Sequence, residues 1–231
     1  MKTLPFKLST ILFMLLYFLS FQGMAKKADI SKTKTISKTI KVNPNHELEI
    51  DNKFGEVKIT TWDKNEVQVK ITISVTTNNE KKTAERLDNI DVKIEESASN
   101  SKFKTYFLNE KKNNNNGKSD MSIDYEVKMP KSNSLDVSNS FGAFIINDID
   151  GRAKIEVKFG SARIGKITHP DSRLRFDFSD PVEISHLEHT AITAKYSKLK
   201  LTAATEVKLI SEFSNTEILG IGKLDAEIKF G

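Results

Sequence analysis

Aromatic residues followed by a small residue recur at nearly equal intervals through the second half of the chain. Successive aromatics are 18, 19, 18, 17 and 17 residues apart. The six positions are Phe141, Phe159, Phe178, Tyr196, Phe213 and Phe230, each followed by Gly or Ser. An earlier copy of the pair stands at Phe54-Gly55. A fixed period of this length is typical of repeat architectures, in which each repeat is one supersecondary unit.

Hydrophobic and polar residues alternate before each aromatic. The positions two and four residues before it are mostly apolar, as at Ile155 and Val157, and the positions between are mostly polar or charged. This alternation predicts a half-buried strand whose aromatic points inward. The Gly or Ser then permits a tight corner, and a second alternating strand follows, as at Ala162 and Ile164. Each repeat is therefore predicted to hold two short strands.

Two architectures fit such a repeat: an antiparallel meander of hairpins, and a β-solenoid whose equivalent strands stack in parallel. The outward position just before each aromatic distinguishes them, because its charge alternates in sign. The residues there are Lys158, Asp177, Lys195, Glu212 and Lys229. In a solenoid each would lie about 4.8 Å from an opposite charge, whereas in a meander they would lie two strands apart. We therefore predict an all-β fold, a single-stranded β-solenoid (β-helix) with coils of about 18 residues.

The chain before residue 130 has a different pattern. Residues 26–129 are predicted to form N-terminal β coils that carry a short inserted helix over about 79–90 and a polar, Asn-rich loop over 109–120. We expect the helix to cap this end of the solenoid, because the first coil would otherwise expose strand edges. Two alternating segments, Glu56–Trp62 and Glu66–Val75, predict a hairpin.

Regular solenoid repeats are predicted over residues 130–231. The sequence stops in mid-repeat, directly after an aromatic and a Gly. Two expectations follow for this end: the natural protein is longer, so that the chain is truncated here, or a partner or second copy covers the last coil.

The first 25 residues have the pattern of a secretory signal peptide. Lys2 and Lys7 precede a short apolar run at 11–21, and Gly23-Met24-Ala25 offers small residues at a cleavage site. The run is short for a membrane span of about 20 residues. We expect cleavage after Ala25, export to the periplasm or cell surface, and no transmembrane span in the mature chain.

Composition excludes several classes of chemistry. The chain has no Cys, so it has no disulfide framework, thiolate metal site or Cys nucleophile. Charged residues make up 29% and hydrophobic residues 38%, as in a folded soluble domain. The formal net charge of +5 permits contact with anionic surfaces. Aromatics do not alternate with the lysines of the basic stretch after residue 25, so no nucleic-acid partner is expected.

Histidines and glycines give weak candidates for a site. His186 and His189 are three residues apart, and in a strand such residues point to opposite faces, which disfavours a shared metal ion. The Gly220-Ile221-Gly222-Lys223 segment lacks the spacing of a phosphate-binding loop. We predict no metal ion and no cofactor.

A cluster of carboxylates is the strongest candidate for catalysis. Asp177, Asp180 and Glu183 are close in sequence to Arg173 and Arg175, and polysaccharide-cleaving enzymes use paired carboxylates. However, the charge columns already provide partners for Asp177 and Arg175. We therefore predict no catalytic residue.

Residues 40–70 and 125–146 share a further set of motifs. In the first, Pro44 precedes a Leu-x-Ile-x-Asn strand, a Gly and a Val-x-Ile strand that ends at Trp62-Asp63. The second repeats the pattern, with Val127, Pro130, Leu135, Val137, Asn139 and Gly142. In these motifs the chain resembles the exported bacterial β-solenoid family named "putative adhesin", a domain of largely unknown function. The resemblance implies stacked β coils behind a signal peptide and attachment at the cell envelope or surface.

The expected function is therefore that of a non-enzymatic, adhesin-like module for envelope interaction or scaffolding. Its flat outward face would meet a surface polysaccharide or an envelope protein. Two alternatives remain open: a polysaccharide-active β-helix enzyme, and a periplasmic accessory of an envelope-stress circuit that would bind through one end of the solenoid. The sequence pattern does not predict the oligomeric state.

Overall fold

The structure is a computed structural model that describes residues 29–108 and 120–231. It contains one described helix, α1 (Glu80–Asp88). The first strands are β1 (Ile30–Lys41), β2 (Glu47–Lys53), β3 (Val57–Trp62), β4 (Glu66–Thr77), β5 (Ile90–Glu96), β6 (Asn100–Phe107) and β7 (Asp120–Pro130). The others are β8 (Ser134–Ser140), β9 (Ala143–Ile146), β10 (Ala153–Lys158), β11 (Ser161–Ile167), β12 (Ser172–Asp177), β13 (Val182–Lys195), β14 (Lys198–Glu212), β15 (Asn215–Ile218) and β16 (Ile221–Lys229). The predicted signal peptide (1–25) and residues 109–119 of the predicted Asn-rich loop lie outside the described residues.

The repeat strands pair in parallel, which confirms the β-solenoid and excludes the meander. β10 lies between β8 and β12, both parallel to it. β13 and β14 are long strands, and their two halves belong to different stacks. Stack 1 runs β5, β6, β2, β8, β10, β12, the second halves of β13 and β14, and β16. Stack 2 runs β1, β4, β7, β3, β9, β11, the first halves of β13 and β14, and β15.

The inward side chains of the stacks form one apolar core. The residues two and four positions before the corner aromatics belong to it, as the period-two alternation predicts. Ile155, Val157, Leu174 and Phe176 are all at most 2% exposed. Each strand therefore buries alternate residues and leaves most of its polar residues on the outer side.

Strand order in stack 2 departs from chain order, and the predicted hairpin is wrong. β7 lies between β3 and β4, parallel to the first and antiparallel to the second. Glu56–Trp62 and Glu66–Val75 are therefore not paired with each other. Two alternating segments joined by three residues look the same whether they form a hairpin or skip one strand position. Here the skipped position is filled by a strand that comes much later in the sequence.

Helix α1 lies among the antiparallel strands and packs against β1, β4 and β5. Its N-cap is Asn79, whose side chain accepts a hydrogen bond from the Lys82 N–H at 3.0 Å. Thr83 and Leu87 are its buried residues. Ion pairs join β1 to α1 and β5, namely Lys32–Glu80, Lys34–Asp91 and Lys38–Glu96 at 3.1, 3.0 and 2.7 Å. Among the described residues, no helix combines the length and the apolar character needed to span a bilayer.

Candidate functional site

The aromatic residues of the repeat form an exposed column at one corner of the solenoid, the aromatic ladder. Its rungs are Phe54, Phe141, Phe159, Phe178, Tyr196, Phe213 and Phe230. Successive ring centroids are 4.7–5.2 Å apart, and successive rings lie within 12° of parallel. The rungs from Phe141 to Phe213 are 48–51% exposed. The prediction that these aromatics point inward is therefore wrong.

The backbone at each rung explains the difference. All seven rungs have φ between 49° and 64°, a left-handed conformation that costs an L-residue about 1–2 kcal/mol. It ends the strand and turns the ring out of the inward position that strict alternation would give it. Offset-stacked aromatic pairs contribute about 0.5–1.5 kcal/mol beyond their buried area. Stacking along the ladder thus offsets much of the backbone strain.

The outer side of stack 1 carries charged columns in the predicted register. Lys158, Asp177, Lys195, Glu212 and Lys229 are successive neighbours across the strands. Lys195 pairs with Glu212 at 2.7 Å, and its hydrogen bond holds the pKa of Glu212 below the ordinary value. Lys158 and Asp177 pair along their own strands instead, with Glu156 and Arg175.

A second column on the same outer side has a gap, which we name the Ala191 notch. Arg173 of β12, Ala191 of β13 and Lys208 of β14 occupy one outward position in three successive coils. They line a shallow depression of about 320 Å³, together with Asp171, His189 and Glu206. Within residues 29–108 and 120–231, Arg173 and Lys208 form no side-chain hydrogen bond or ion pair. Since neighbouring strands are 4.7–4.9 Å apart, the two cationic positions are about 9.5 Å apart.

A column in stack 2 has two cations at the same spacing but a different residue between them. Arg163 of β11, Glu183 of β13 and Lys200 of β14 are also successive neighbours on an outer side. Here the central residue is a carboxylate, and it accepts a hydrogen bond from Arg163 at 3.2 Å. The Ala191 notch has the two cations without the carboxylate between them. In the next coil Asp225 follows Lys208 as Glu217 follows Lys200, so the notch column keeps one positive charge more than the column of stack 2.

Two acidic residues, Asp171 and Glu206, line the notch, and Glu206 is already engaged. Glu206 accepts a hydrogen bond from Lys223 at 2.7 Å and lies 3.5 Å from His189. The hydrogen bond from Lys223 is the largest cause of a pKa for Glu206 below its ordinary value. Glu206 is therefore ionised at neutral pH, and Lys223, outside the Arg173–Lys208 pair, matches its charge. Asp171 forms no ion pair among the described residues, so the two cations outnumber the one carboxylate of the notch that is not in an ion pair.

The three carboxylates considered for catalysis do not form one cluster. Asp177 is 8% exposed and pairs with Arg175 at 2.9 Å. Glu183 pairs with Arg163 in stack 2, and Asp180 lies in the corner segment between the two strands. A glycosidase needs two carboxylates that face each other across one substrate bond. This arrangement places Asp177 and Glu183 in different stacks, each with a cationic partner.

The histidines and the Gly-rich segment also lie apart. His46 is buried against Ser101, whereas His186 and His189 lie on β13. Across the described ranges no group of three or more potential ligands could hold a metal ion. The Gly220–Lys223 segment leads into β16, where Lys223 pairs with Glu206.

Charge patterning alone does not single out the notch. From the sequence, Arg173 is interpreted as one more solvent-exposed residue of a charged column. The signal that would find it is Ala191, a small apolar residue at an outward position where the neighbouring coils carry cations. That comparison requires the register of the coils as well as the alternation within each strand.

Comparison with known proteins finds resemblance among solved structures. The chain is 12% identical to a "putative cell adhesion protein" from Clostridium sporogenes, over 86% of this chain and 98% of that one, with a TM-score of 0.31. It is 12% identical to a "putative lipid binding protein" from Parabacteroides distasonis, over 84% and 96%, with a TM-score of 0.31. It is 11% identical to a "putative adhesin" from Bacteroides fragilis, over 84% and 97%, with a TM-score of 0.24.

No family model matches the chain, and no curated protein matches it. Two of these solved structures have adhesion or adhesin in their names, as does the family that residues 40–70 and 125–146 resemble.

Proposed function

We propose that the protein is an exported, non-enzymatic attachment module of the cell envelope that binds an acidic surface polysaccharide at the Ala191 notch. The observation that carries the proposal is the column of Arg173, Ala191 and Lys208. It sets two exposed cations without partners on a surface whose other charges are mostly paired. The coils are hydrogen-bonded to their neighbours, so the solenoid presents this column on an extended and rigid surface.

The chemistry of the notch suits a polymer with repeated anionic groups. The planar guanidinium of Arg173 can bind a carboxylate or sulfate through two parallel hydrogen bonds, and Lys208 adds a point charge. A separation of about 9.5 Å favours two anionic groups on one extended chain over one small anion. Single exposed ion pairs contribute little. Firm attachment would therefore come from many protein copies, each bound through its notch along the same polymer.

Export and end capping complete the proposal. Residues 1–25 would direct secretion through their signal-peptide pattern. We also propose that α1, β1 and β5 cap one end of the solenoid. The buried Thr83 and Leu87 and the ion pairs from β1 support this role. The long outer sides would then be the surfaces offered to a partner.

The test measures binding to polygalacturonate, an acidic probe, by isothermal titration calorimetry. Neutral dextran serves as the reference polymer. The double variant Arg173→Gln/Lys208→Gln should lose most of the binding. Its matched control is Arg163→Gln/Lys200→Gln, which removes the same charge at the same spacing from stack 2 and should bind normally. Equal losses in the two variants would show that net charge alone drives binding, and would refute the notch.

Ala191→Glu is the sharpest single change. It should give the notch the arrangement of Arg163, Glu183 and Lys200, with a carboxylate between two cations. We expect polygalacturonate binding to be lost while the midpoint of thermal unfolding is unchanged or higher, because new ion pairs replace unpaired charges. Normal binding by Ala191→Glu would contradict the proposed site.

A further inference from the structure

We propose that the aromatic ladder is the interface of a homodimer, in which two copies pack ladder to ladder and antiparallel. The two-fold axis would cross the ladder at right angles, midway between Phe178 and Tyr196. This inference does not depend on the Ala191 notch, which is a separate column of residues.

The ladder is a larger exposed apolar feature than a soluble monomer usually leaves open. An aromatic side chain buries about 150–250 Å², and rungs from Phe141 to Phe213 are about half exposed. These five rungs, together with Phe230, which is 80% exposed, would therefore contribute about 500–800 Å² per copy. A standard stable interface buries about 800 Å² per partner, so the ladder and its flanking residues together reach the area that a dimer requires.

The row before the rungs is self-complementary in charge. It reads Lys158, Asp177, Lys195, Glu212 and Lys229, with alternating sign. In an isologous interface each residue faces a symmetry-related residue of the same surface. An axis that passes through a rung would set like charges opposite one another. An axis midway between two rungs would set Lys158 of one copy opposite Glu212 of the other.

The other flank of the ladder selects one of these midway axes. Asp180 and Lys198 each follow a rung by two residues, after Phe178 and Tyr196. Both are exposed, and in the part of the chain that the structure describes neither side chain has a hydrogen bond or ion pair. An axis between these two rungs would bring Asp180 of each copy to Lys198 of the other. Both flanks are then complementary about the same axis.

The test is the dimer dissociation constant of the purified protein, measured by analytical ultracentrifugation. Lys198→Asp should raise it about tenfold or more, because each dimer then contains two like-charge contacts with Asp180. The swapped variant Asp180→Lys/Lys198→Asp should restore the wild-type value, since it rebuilds both pairs with reversed sign. Lys200→Asp is the matched control on stack 2 and should leave the constant unchanged.

The outcomes show whether the aromatic ladder contacts a second copy of the protein or another partner. Recovery of the dimer by the charge swap supports the proposed axis, and thermal unfolding of each variant shows that it is folded. A protein that is monomeric at every concentration overturns the proposal, as does a dimer that ignores both Lys198→Asp and the swap. A monomer that binds anionic phospholipid vesicles and loses that binding in Phe178→Ser also overturns it, because the ladder would then face a lipid surface.

Discussion

The half of the aromatic ladder nearer α1 turns its corners with different chemistry from the other half. After the first three rungs, Phe54, Phe141 and Phe159, the next residue is Gly; after Phe178, Tyr196 and Phe213, it is Ser. All these rungs have positive φ, so the ring residue has the same backbone conformation in both halves. The difference lies in what occupies the space between neighbouring coils.

At the Gly corners the backbones themselves meet. A Cβ on Gly142 would lie 1.8 Å from the carbonyl oxygen of Gly55, and one on Gly160 would lie 2.1 Å from that of Gly142. Buried side-chain amides supply cross-coil hydrogen bonds at the first two of these corners. Asn52 Nδ2 donates to Asn139 Oδ1 at 3.1 Å, and Asn139 Nδ2 donates to the carbonyl of Gly55 at 3.2 Å. Glycine is required there for close approach.

At the Ser corners a hydroxyl fills the equivalent space and makes the link. The N–H of Ser179 donates to Ser197 Oγ, and the N–H of Ser197 donates to Ser214 Oγ, both at 3.0 Å. The hydroxyl of Ser197 in turn donates to the carbonyl of Lys195 at 2.8 Å. These three serines are at most 6% exposed. One ladder is therefore supported by close backbone packing in one half and by a buried hydroxyl chain in the other.

The junction between the two corner types contains one extra residue. Ala162 is the third residue after Phe159, whereas its paired neighbour Val182 is the fourth residue after Phe178. Asp180 is the counterpart of Lys198, because its N–H donates to the carbonyl of Gly160 at 2.9 Å as the N–H of Lys198 donates to that of Ser179 at 3.0 Å. The added residue is therefore Pro181. Asp180 also places an unpaired carboxylate beside the ladder.

Among the corner substitutions, Gly142→Ala should lower the free energy of unfolding most. Its new Cβ would meet backbone rather than a flexible side chain, so a coil must move, and we expect a loss of about 3 kcal/mol or more in the free energy of unfolding. Urea denaturation measures the change. Gly220→Ala is the control, because its Cβ would lie 3.5 Å from the nearest atom, an ordinary contact. Equal losses would contradict the role of close backbone approach.

Ser197→Ala should have the next largest effect. It leaves the buried N–H of Ser179 without its acceptor, and an unsatisfied buried donor costs about 1–3 kcal/mol. Ser185→Ala removes an exposed hydroxyl from the same repeat region and should change the unfolding free energy by less than about 0.5 kcal/mol. If urea denaturation shows the same change for both, the hydroxyl chain does not support the corners.

Phe159→Ala should cost about 1–2 kcal/mol, roughly half the value for a buried aromatic, because the ring is half exposed. Phe159→Gly should cost no more than Phe159→Ala, since glycine accepts positive φ without strain. The matched control is Phe176→Ala, an inward ring that is 0% exposed and should cost about 3–5 kcal/mol. Equal costs at Phe159 and Phe176 would place the ladder in the core after all.

The sequence reveals those features that alternation and period determine. Strand positions, parallel stacking and the register of Lys158 with Asp177 follow from them, because a two-residue period fixes the face and an 18-residue period fixes the neighbour. The outward ladder does not follow, since one positive φ at the corner reverses the direction of the ring. The place of β7 does not follow either, because local alternation contains no information about which distant strand fills a gap.

Lys195→Ala should have a smaller effect than the preceding three substitutions, because it breaks an exposed ion pair. The lowered pKa of Glu212 means that this pair stabilises the fold above the ordinary Glu pKa, and that the contribution disappears as the pH falls through the lowered value. Thermal unfolding midpoints of wild type and Lys195→Ala should therefore differ slightly at neutral pH and converge in acid. Lys208→Ala removes an unpaired cation and should show no such convergence. Identical pH profiles for the two variants would mean that the paired columns of stack 1 are energetically no different from the open column at Ala191.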